Sequence, residues 1–143
     1  MVTVQPVTKT KKDKDFIFSV GRRKESIARV RLFKGHDEHI VNGVPFTDYF
    51  PGAVAKILFE RPFKVAGALD KYRVSVKVEG GGKSGQLSAT VLGIARALAN
   101  ASPLQFRPPL KKQKLLTRDA RIRERRKVGT GGKARRKKQS PKR

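Results

Sequence analysis

The sequence predicts an α+β domain followed by an extended basic tail. Three segments alternate apolar and polar residues with the period of a strand, and two others repeat apolar residues with the period of a helix. Residues 118–143 instead hold 13 Lys and Arg among 26 residues, with too few apolar groups for a core. A chain of 143 residues has room for one modest domain. We therefore predict a mobile basic arm over residues 1–14, a globular domain over 15–117 and a basic tail over 118–143.

The charge of the chain points to a polyanionic partner. Its 35 Lys and Arg outnumber 11 Asp and Glu, which gives a formal net charge of +24. Such an excess opposes a compact state unless a polyanion neutralises it, and nucleic acid is the obvious candidate. The sequence contains no long apolar span and no cationic amphipathic helix, so no membrane partner is expected. Residues 1–14 lack the apolar core of a secretion signal, and we expect a cytoplasmic protein.

Two half-buried strands are predicted near the N-terminus, joined by a cationic turn. Their predicted apolar faces consist of Phe16, Phe18 and Val20 in the first strand, and Ala28, Val30 and Leu32 in the second. Arg29 and Arg31 point to the opposite face of the second strand. Between the strands, Gly21 permits the chain to reverse. The turn then presents three adjacent cations: Arg22, Arg23 and Lys24. These side chains either bind phosphates or remain solvated.

The middle of the chain predicts a short strand and a short helix. Residues 39–41 form the strand, and the Asn42-Gly43 dipeptide after it is a strong turn signal. A helix is predicted over residues 53–59, with a buried face made of Val54, Ile57 and Leu58. This helix is expected to end before Pro62, because proline lacks the amide that a helix interior requires.

The most regular strand and helix follow. Tyr72, Val74, Val76 and Val78 alternate with polar residues, and the glycine-rich segment 80–85 ends that strand. A helix over residues 86–100 carries one apolar stripe, formed by Leu87, Val91, Ile94 and Leu98. Small residues recur at every fourth position of this helix: Ala89, Gly93 and Ala97. They would let either a sheet or an RNA backbone approach closely. Pro103 is expected to end this helix, and Pro108-Pro109 to prevent the next one from extending backwards.

The strongest enzymatic signal is the segment Gly82-Lys83-Ser84 between a strand and a helix, which resembles part of a phosphate-binding P-loop. The spacing does not fit, because Lys77 stands where the pattern needs its first glycine. A phosphotransferase thus remains only an alternative, although glycines at a helix start still suit an anion. His36 and His39 are too few for a metal site and are expected to be solvated. We predict no catalytic residue, no metal, no cofactor and no small-molecule substrate.

Cations in the domain and in the tail are the predicted binding residues for nucleic-acid phosphates. Those of the domain are Arg22, Arg23, Lys24, Arg29, Arg31 and Lys83. Those of the tail are Arg118, Arg121, Arg125, Arg126, Lys127, Lys133, Arg135 and Arg136. Arginine suits this task because its planar fork makes paired hydrogen bonds with phosphate. A general nucleic-acid compaction protein is a second alternative.

Several motifs resemble those of the ninth protein of the small ribosomal subunit, in its bacterial form. Residues 80–89, GGGKSGQLSA, look like the family signature, and GRRK at 21–24 resembles its first hairpin. The motifs TRDAR at 117–121, ERRKVG at 124–129 and KARR at 133–136 are similar to its tail, and the chain ends in Lys142-Arg143. The family's tail usually ends Phe-Ser-Lys-Arg, whereas this chain reads Gln139-Ser140-Pro141-Lys142-Arg143.

The resemblance implies a fold, a set of partners and a location. The implied fold is like domain 2 of ribosomal protein S5, with helices on one face of a four-stranded mixed sheet. The implied partners are small-subunit ribosomal RNA in the head, neighbouring head proteins and peptidyl-site transfer RNA. Lys142 and Arg143 would contact the anticodon stem-loop of that transfer RNA. The resemblance implies no reaction, and it places the protein in the ribosome.

Overall fold

The computed structural model describes residues 15–125, and within them it forms one α+β unit. The strands are β1 (Ile17–Arg23), β2 (Ser26–Lys34), β3 (Ile40–Val41), β4 (Val44–Pro45) and β5 (Tyr72–Glu79). The helices are α1 (Phe46–Tyr49), α2 (Ala53–Ala66), α3 (Lys83–Ala101) and α4 (Pro103–Lys112). The predicted fold class is confirmed. The predicted arm over 1–14 and the tail beyond residue 125 lie outside the described residues.

The sheet is mixed and has the strand order β1-β2-β5-β3-β4. Strand β3 pairs in parallel with β5, while the other neighbours are antiparallel. The sheet contains five strands rather than the expected four, because the Asn42-Gly43 turn folds the two-residue β4 back onto β3. Both turn residues have positive φ, 52° for Asn42 and 84° for Gly43, which is the backbone that a tight hairpin of this kind requires.

The helices cover one face of the sheet, as the family resemblance implied. Ala28, Val30 and Leu32 of β2 are fully buried beneath α3, and alternate residues of β5 are buried with them. The predicted apolar face of β1 was wrong, however. Ser19 and Gly21 face the helices, whereas Phe18 lies on the open face with 50% of its surface exposed. Small residues face the helices here because α3 approaches β1 too closely to admit large ones.

Helix α3 makes this approach through its small residues. A Cβ atom on Gly21 would lie 1.9 Å from the Ala89 carbonyl oxygen, and one on Gly93 would lie 2.5 Å from Val30 Cγ2. The Ser19 hydroxyl donates a hydrogen bond of 2.6 Å to the Gly93 carbonyl in the same contact. The sequence allowed either a sheet or an RNA backbone to pack against the small residues of α3, and in the structure the sheet packs there.

Helices α2 and α4 both continue through proline, which corrects two predictions. Helix α2 runs to Ala66 with Pro62 inside it, and α4 contains Pro108 and Pro109. In both helices, large side chains buried beside the prolines hold the helix against the core, and tertiary packing outweighs local propensity.

The predicted buried face of α2 was also wrong. Val54 is 71% exposed, Ile57 60% and Leu58 39%. The helix instead buries Phe59 and Phe63, whose rings offer more apolar surface to the core than the three aliphatic side chains would.

His39 is half-buried against these rings rather than solvated as predicted. Its ring stacks on Phe63 with centroids 5.3 Å apart, and it lies 5.1 Å from the ring of Phe59. The Val74 amide donates a hydrogen bond of 3.3 Å to His39 Nδ1, which ties β5 to this aromatic cluster. Burial lowers the pKa of His39, although Glu60 partly offsets the shift.

Candidate nucleic-acid interface

The turn between β1 and β2 and the glycine loop before α3 meet at one end of the sheet. The Ser26 hydroxyl donates to the Gly80 carbonyl at 3.1 Å, and a Cβ atom on Gly80 would lie 2.4 Å from the Glu25 carbonyl oxygen. A cleft of about 480 Å³ lies between the two segments, and its lining includes Arg23, Lys24 and Lys83. We call this cleft the hairpin cleft. It brings together three cations that the sequence separates by up to 60 positions, while Arg22 lies on the other face of β1.

Two cations at the tip of the hairpin point into solvent. Arg22 and Lys24 are exposed, and neither forms an ion pair within residues 15–125. Lys24 has a φ of 51°, because the turn has only two residues, Lys24 and Glu25, between the strands. The short turn therefore holds both side chains at a fixed edge of the domain.

Lys83 is positioned by aromatic side chains. Its ammonium lies 3.3 Å from the centroid of the Tyr49 ring, and it donates a hydrogen bond of 3.3 Å to the Tyr49 carbonyl. The Tyr49 hydroxyl in turn donates to Gln86 Oε1 at 2.9 Å. Such a contact orients the ammonium while leaving its charge available at the surface.

Arg23 makes a different set of contacts, all with the start of the tail. Its guanidinium pairs with the Asp119 carboxylate at 3.2 Å and donates to the Arg121 carbonyl at 2.5 Å. Arg121 also donates hydrogen bonds to this carboxylate from Nε and from a terminal nitrogen, at 3.0 and 2.7 Å. The hydrogen bonds from Arg121, with the nearby charge of Arg23, hold the pKa of Asp119 well below its usual range. We call this group of three residues the tail clasp.

Arg29 and Arg31 lie on the open face of the sheet, away from the hairpin cleft. Arg29 and Lys77 share one carboxylate oxygen of Glu79, each at 3.3 Å. The Arg31 guanidinium lies 5.1 Å from the centroid of the Phe16 ring. Sequence reasoning missed Lys77, although its register opposite Arg29 follows from pairing the two predicted strands.

The described part of the tail, residues 118–125, has no regular secondary structure. Arg118, Arg121 and Arg125 are exposed there. The remaining predicted tail residues lie outside the described residues: Arg126, Lys127, Lys133, Arg135, Arg136, Lys142 and Arg143. The role of Asp119 was also missed by sequence reasoning, and the only signal for it was that it is one of two acids among the cations of the tail.

No group of three or more potential metal-binding side chains occurs between residues 15 and 125. Within the same residues, no helix is long and apolar enough to cross a bilayer.

Fold and surface together define a class, that of small basic α+β domains whose exposed cations suit a polyanion. The family model described as "Ribosomal protein S9/S16" matches residues 21–143, and the chain belongs to that family. It is 49% identical over 111 residues to "Small ribosomal subunit protein uS9" of Cutibacterium acnes, covering 78% of this chain and 64% of that protein, slightly under two thirds.

Two further relatives carry the same name. The protein of Maridesulfovibrio salexigens is 45% identical over 83% of this chain and 91% of its own length. That of Thermus thermophilus is 46% identical over 78% of this chain and 87% of its own. These names confirm the predicted family and the location in the ribosome, and they are names of structural ribosomal proteins rather than of enzymes. The chain is a small-subunit ribosomal protein.

Proposed function

We propose that the chain docks on ribosomal RNA in the head of the small subunit, beside neighbouring head proteins, and that its tail reaches peptidyl-site transfer RNA. The observation that carries the first part is the hairpin cleft, where Lys24 lies at the surface beside Lys83 and forms no ion pair within residues 15–125. The exposed Arg22 adds a further cation next to the same turn. Each cation that meets a phosphate releases condensed counterions, so binding should be strong and steeply salt-dependent.

The cations divide into docking and positioning roles. Arg22, Lys24 and Lys83 face solvent and serve to contact phosphates. Arg23 is engaged by Asp119, so its main role is to fix the start of the tail beside the cleft. The phosphate contacts along the RNA are then continued by Arg118, Arg125, Arg126, Lys127, Lys133, Arg135 and Arg136.

The docking proposal is tested by replacing Arg22 and Lys24 together with Gln and measuring affinity for small-subunit ribosomal RNA at several salt concentrations. The slope of log affinity against log salt should fall by about one unit for each lost contact. The matched control replaces Lys56 and Lys64 of α2, which pair with Glu60, with Gln. It removes the same charge from a helix that does not line the cleft. Equal slopes for the two double variants would contradict the proposal.

A competition experiment separates this function from general nucleic-acid compaction. Bulk duplex DNA should displace the protein from small-subunit RNA only at a large excess, because the described cations sit at fixed positions on a folded domain. Displacement at equal phosphate concentration would favour a compaction protein instead.

The transfer-RNA proposal depends on the reach and the charge of the tail. The 22 residues after Arg121 could extend over about 70 Å. Deleting Lys142 and Arg143 should leave subunit assembly intact and speed dissociation of peptidyl-site transfer RNA by at least about tenfold, since the loss of one charge-assisted hydrogen bond of about 1.5 kcal/mol already corresponds to that factor. Replacing Lys137 and Lys138 with Gln is the matched control. A wild-type dissociation rate after the deletion would refute the proposal.

A further inference from the structure

The open face of the sheet combines aromatic rings with cations. Register places Phe18 opposite Arg31, Arg29 opposite Lys77, and Arg31 opposite Ser75. The helices pack on the other face, so no described helix covers these side chains. Three strands thus present one continuous row of outward side chains to solvent.

Two of the aromatic rings on this face remain exposed. Phe18 is 50% exposed and Phe16 is 40% exposed, although the opposite face holds a well-packed core. Phe16 contacts Phe33 with ring centroids 5.7 Å apart, so the two rings form a small platform on the outside of the sheet. Phe33 itself is buried, so the exposed aromatic surface of this face comes from Phe16 and Phe18.

Cations surround the platform. Arg31 lies 5.1 Å from the Phe16 centroid, and Arg73 lies 4.6 Å from the Phe33 centroid. A groove of about 710 Å³ runs across the face, and Phe18, Arg29, Arg31 and Lys77 line it. Glu79 is the acid of this groove, and the two cations bound to it outnumber its single charge. The groove therefore suits a ligand that combines negative charge with flat apolar surfaces.

We propose that this face binds unpaired nucleotides of RNA, with a base stacked on Phe18 and phosphates held by Arg29, Arg31 and Lys77. The inference rests on the proposed RNA binding and specifies the form of RNA that this face binds. Arg29 and Arg31 are two residues apart on one strand, about 7 Å, so a single extended strand can pass along both while its base reaches Phe18. Stacking on aromatic side chains is a common way in which proteins hold splayed bases.

A duplex does not satisfy the same surface. Its bases are already stacked inside the helix, so an exposed phenylalanine gains nothing from it, and only the cations would contribute. The proposal therefore predicts a ring contribution that is specific to single strands. It also predicts that this contribution does not depend on salt, because stacking releases no counterions.

The test uses the full chain and an oligoribonucleotide that contains the fluorescent base 2-aminopurine, as a single strand and as a duplex. Phe18→Leu should weaken single-strand binding by about tenfold at every salt concentration and leave duplex binding unchanged. Phe18→Tyr, which keeps a ring, should bind single strands as the wild type does. Arg31→Gln should also weaken binding, but its effect should fade as salt rises.

Leu104→Ala is the matched control, because Leu104 is 95% exposed on α4, outside the groove. It should leave binding to both RNA forms unchanged. If Phe18→Leu binds single strands as tightly as the wild type while RNA binding itself persists, the inference fails and the proposed function stands. If the wild type binds no RNA, the proposed function fails. If Phe18→Leu weakens binding of poly-glutamate but not of RNA, the face binds an acidic protein instead, and the inference is overturned.

Discussion

Replacing Gly21 with Ala tests whether the close approach of α3 to β1 holds the domain together. The new Cβ atom would lie 1.9 Å from the Ala89 carbonyl oxygen and 2.5 Å from the Gly93 amide nitrogen. Both are backbone atoms, so no rotamer change can relieve the overlap. Restoring normal contact requires α3 to move away by about 1.5 Å.

The expected cost follows from what this movement breaks. Overpacking a well-packed core usually costs about 1 to 3 kcal/mol, and a backbone overlap belongs at the upper end. The movement also stretches the 2.6 Å hydrogen bond from Ser19 to Gly93, worth about 1 kcal/mol. We expect the free energy of unfolding to fall by about 3 to 4 kcal/mol, with a melting temperature lower by about 15 °C or more.

Denaturant unfolding followed by circular dichroism measures this loss. Gly82→Ala is the matched control, because nothing lies within 4 Å of its Cβ position and its φ of −110° suits any residue. Losing glycine at this helix start should cost no more than about 1 kcal/mol. Equal free energies of unfolding for the two variants would refute the argument, since the clash would then be absorbed without cost.

Two further predictions concern pH and the start of the tail. Because burial lowers the pKa of His39, its neutral form is favoured in the fold. The contribution of His39 to stability should be complete above pH 6.5 and be lost as the pH drops below it, and His39→Phe should reduce that loss. The Arg121 amide donates a hydrogen bond of 3.0 Å to Asp119, so Asp119→Asn should speed hydrogen exchange at that amide. The control Asp70→Asn should leave the exchange rate unchanged. Equal rates in both variants would argue against the tail clasp.

The sequence predicted some elements well because burial acts on them from one side only. Tyr72–Glu79 was predicted at both ends, since its valines face a continuous core and its polar residues face solvent. The face of β1 could not be predicted in the same way. Alternation identifies a strand but does not say which face meets the helix, and there the steric demand of α3 at Gly21 outweighed the apolar character of Phe18.

In the candidate site too, local features could be predicted from the sequence and long-range contacts could not. Cations that are neighbours in sequence, such as Arg22 and Lys24, could be identified locally because a turn must expose them. The pairing of Arg23 with Asp119 joins residues 96 positions apart and depends on how the whole domain closes. Likewise, the buried face of α2 depends on which side chains reach the core, and Phe59 and Phe63 displace Val54 from it.

The tail clasp would make the domain and the tail a bivalent ligand under the proposed function. Because Arg23 holds Asp119 beside the hairpin cleft, the tail leaves the domain where the cleft would meet its polyanion. If the domain docks as proposed, the tether rather than the cell would set the effective concentration of the tail near the same RNA. Release of one segment would then leave the other bound, so that the pair could rebind before the protein diffuses away.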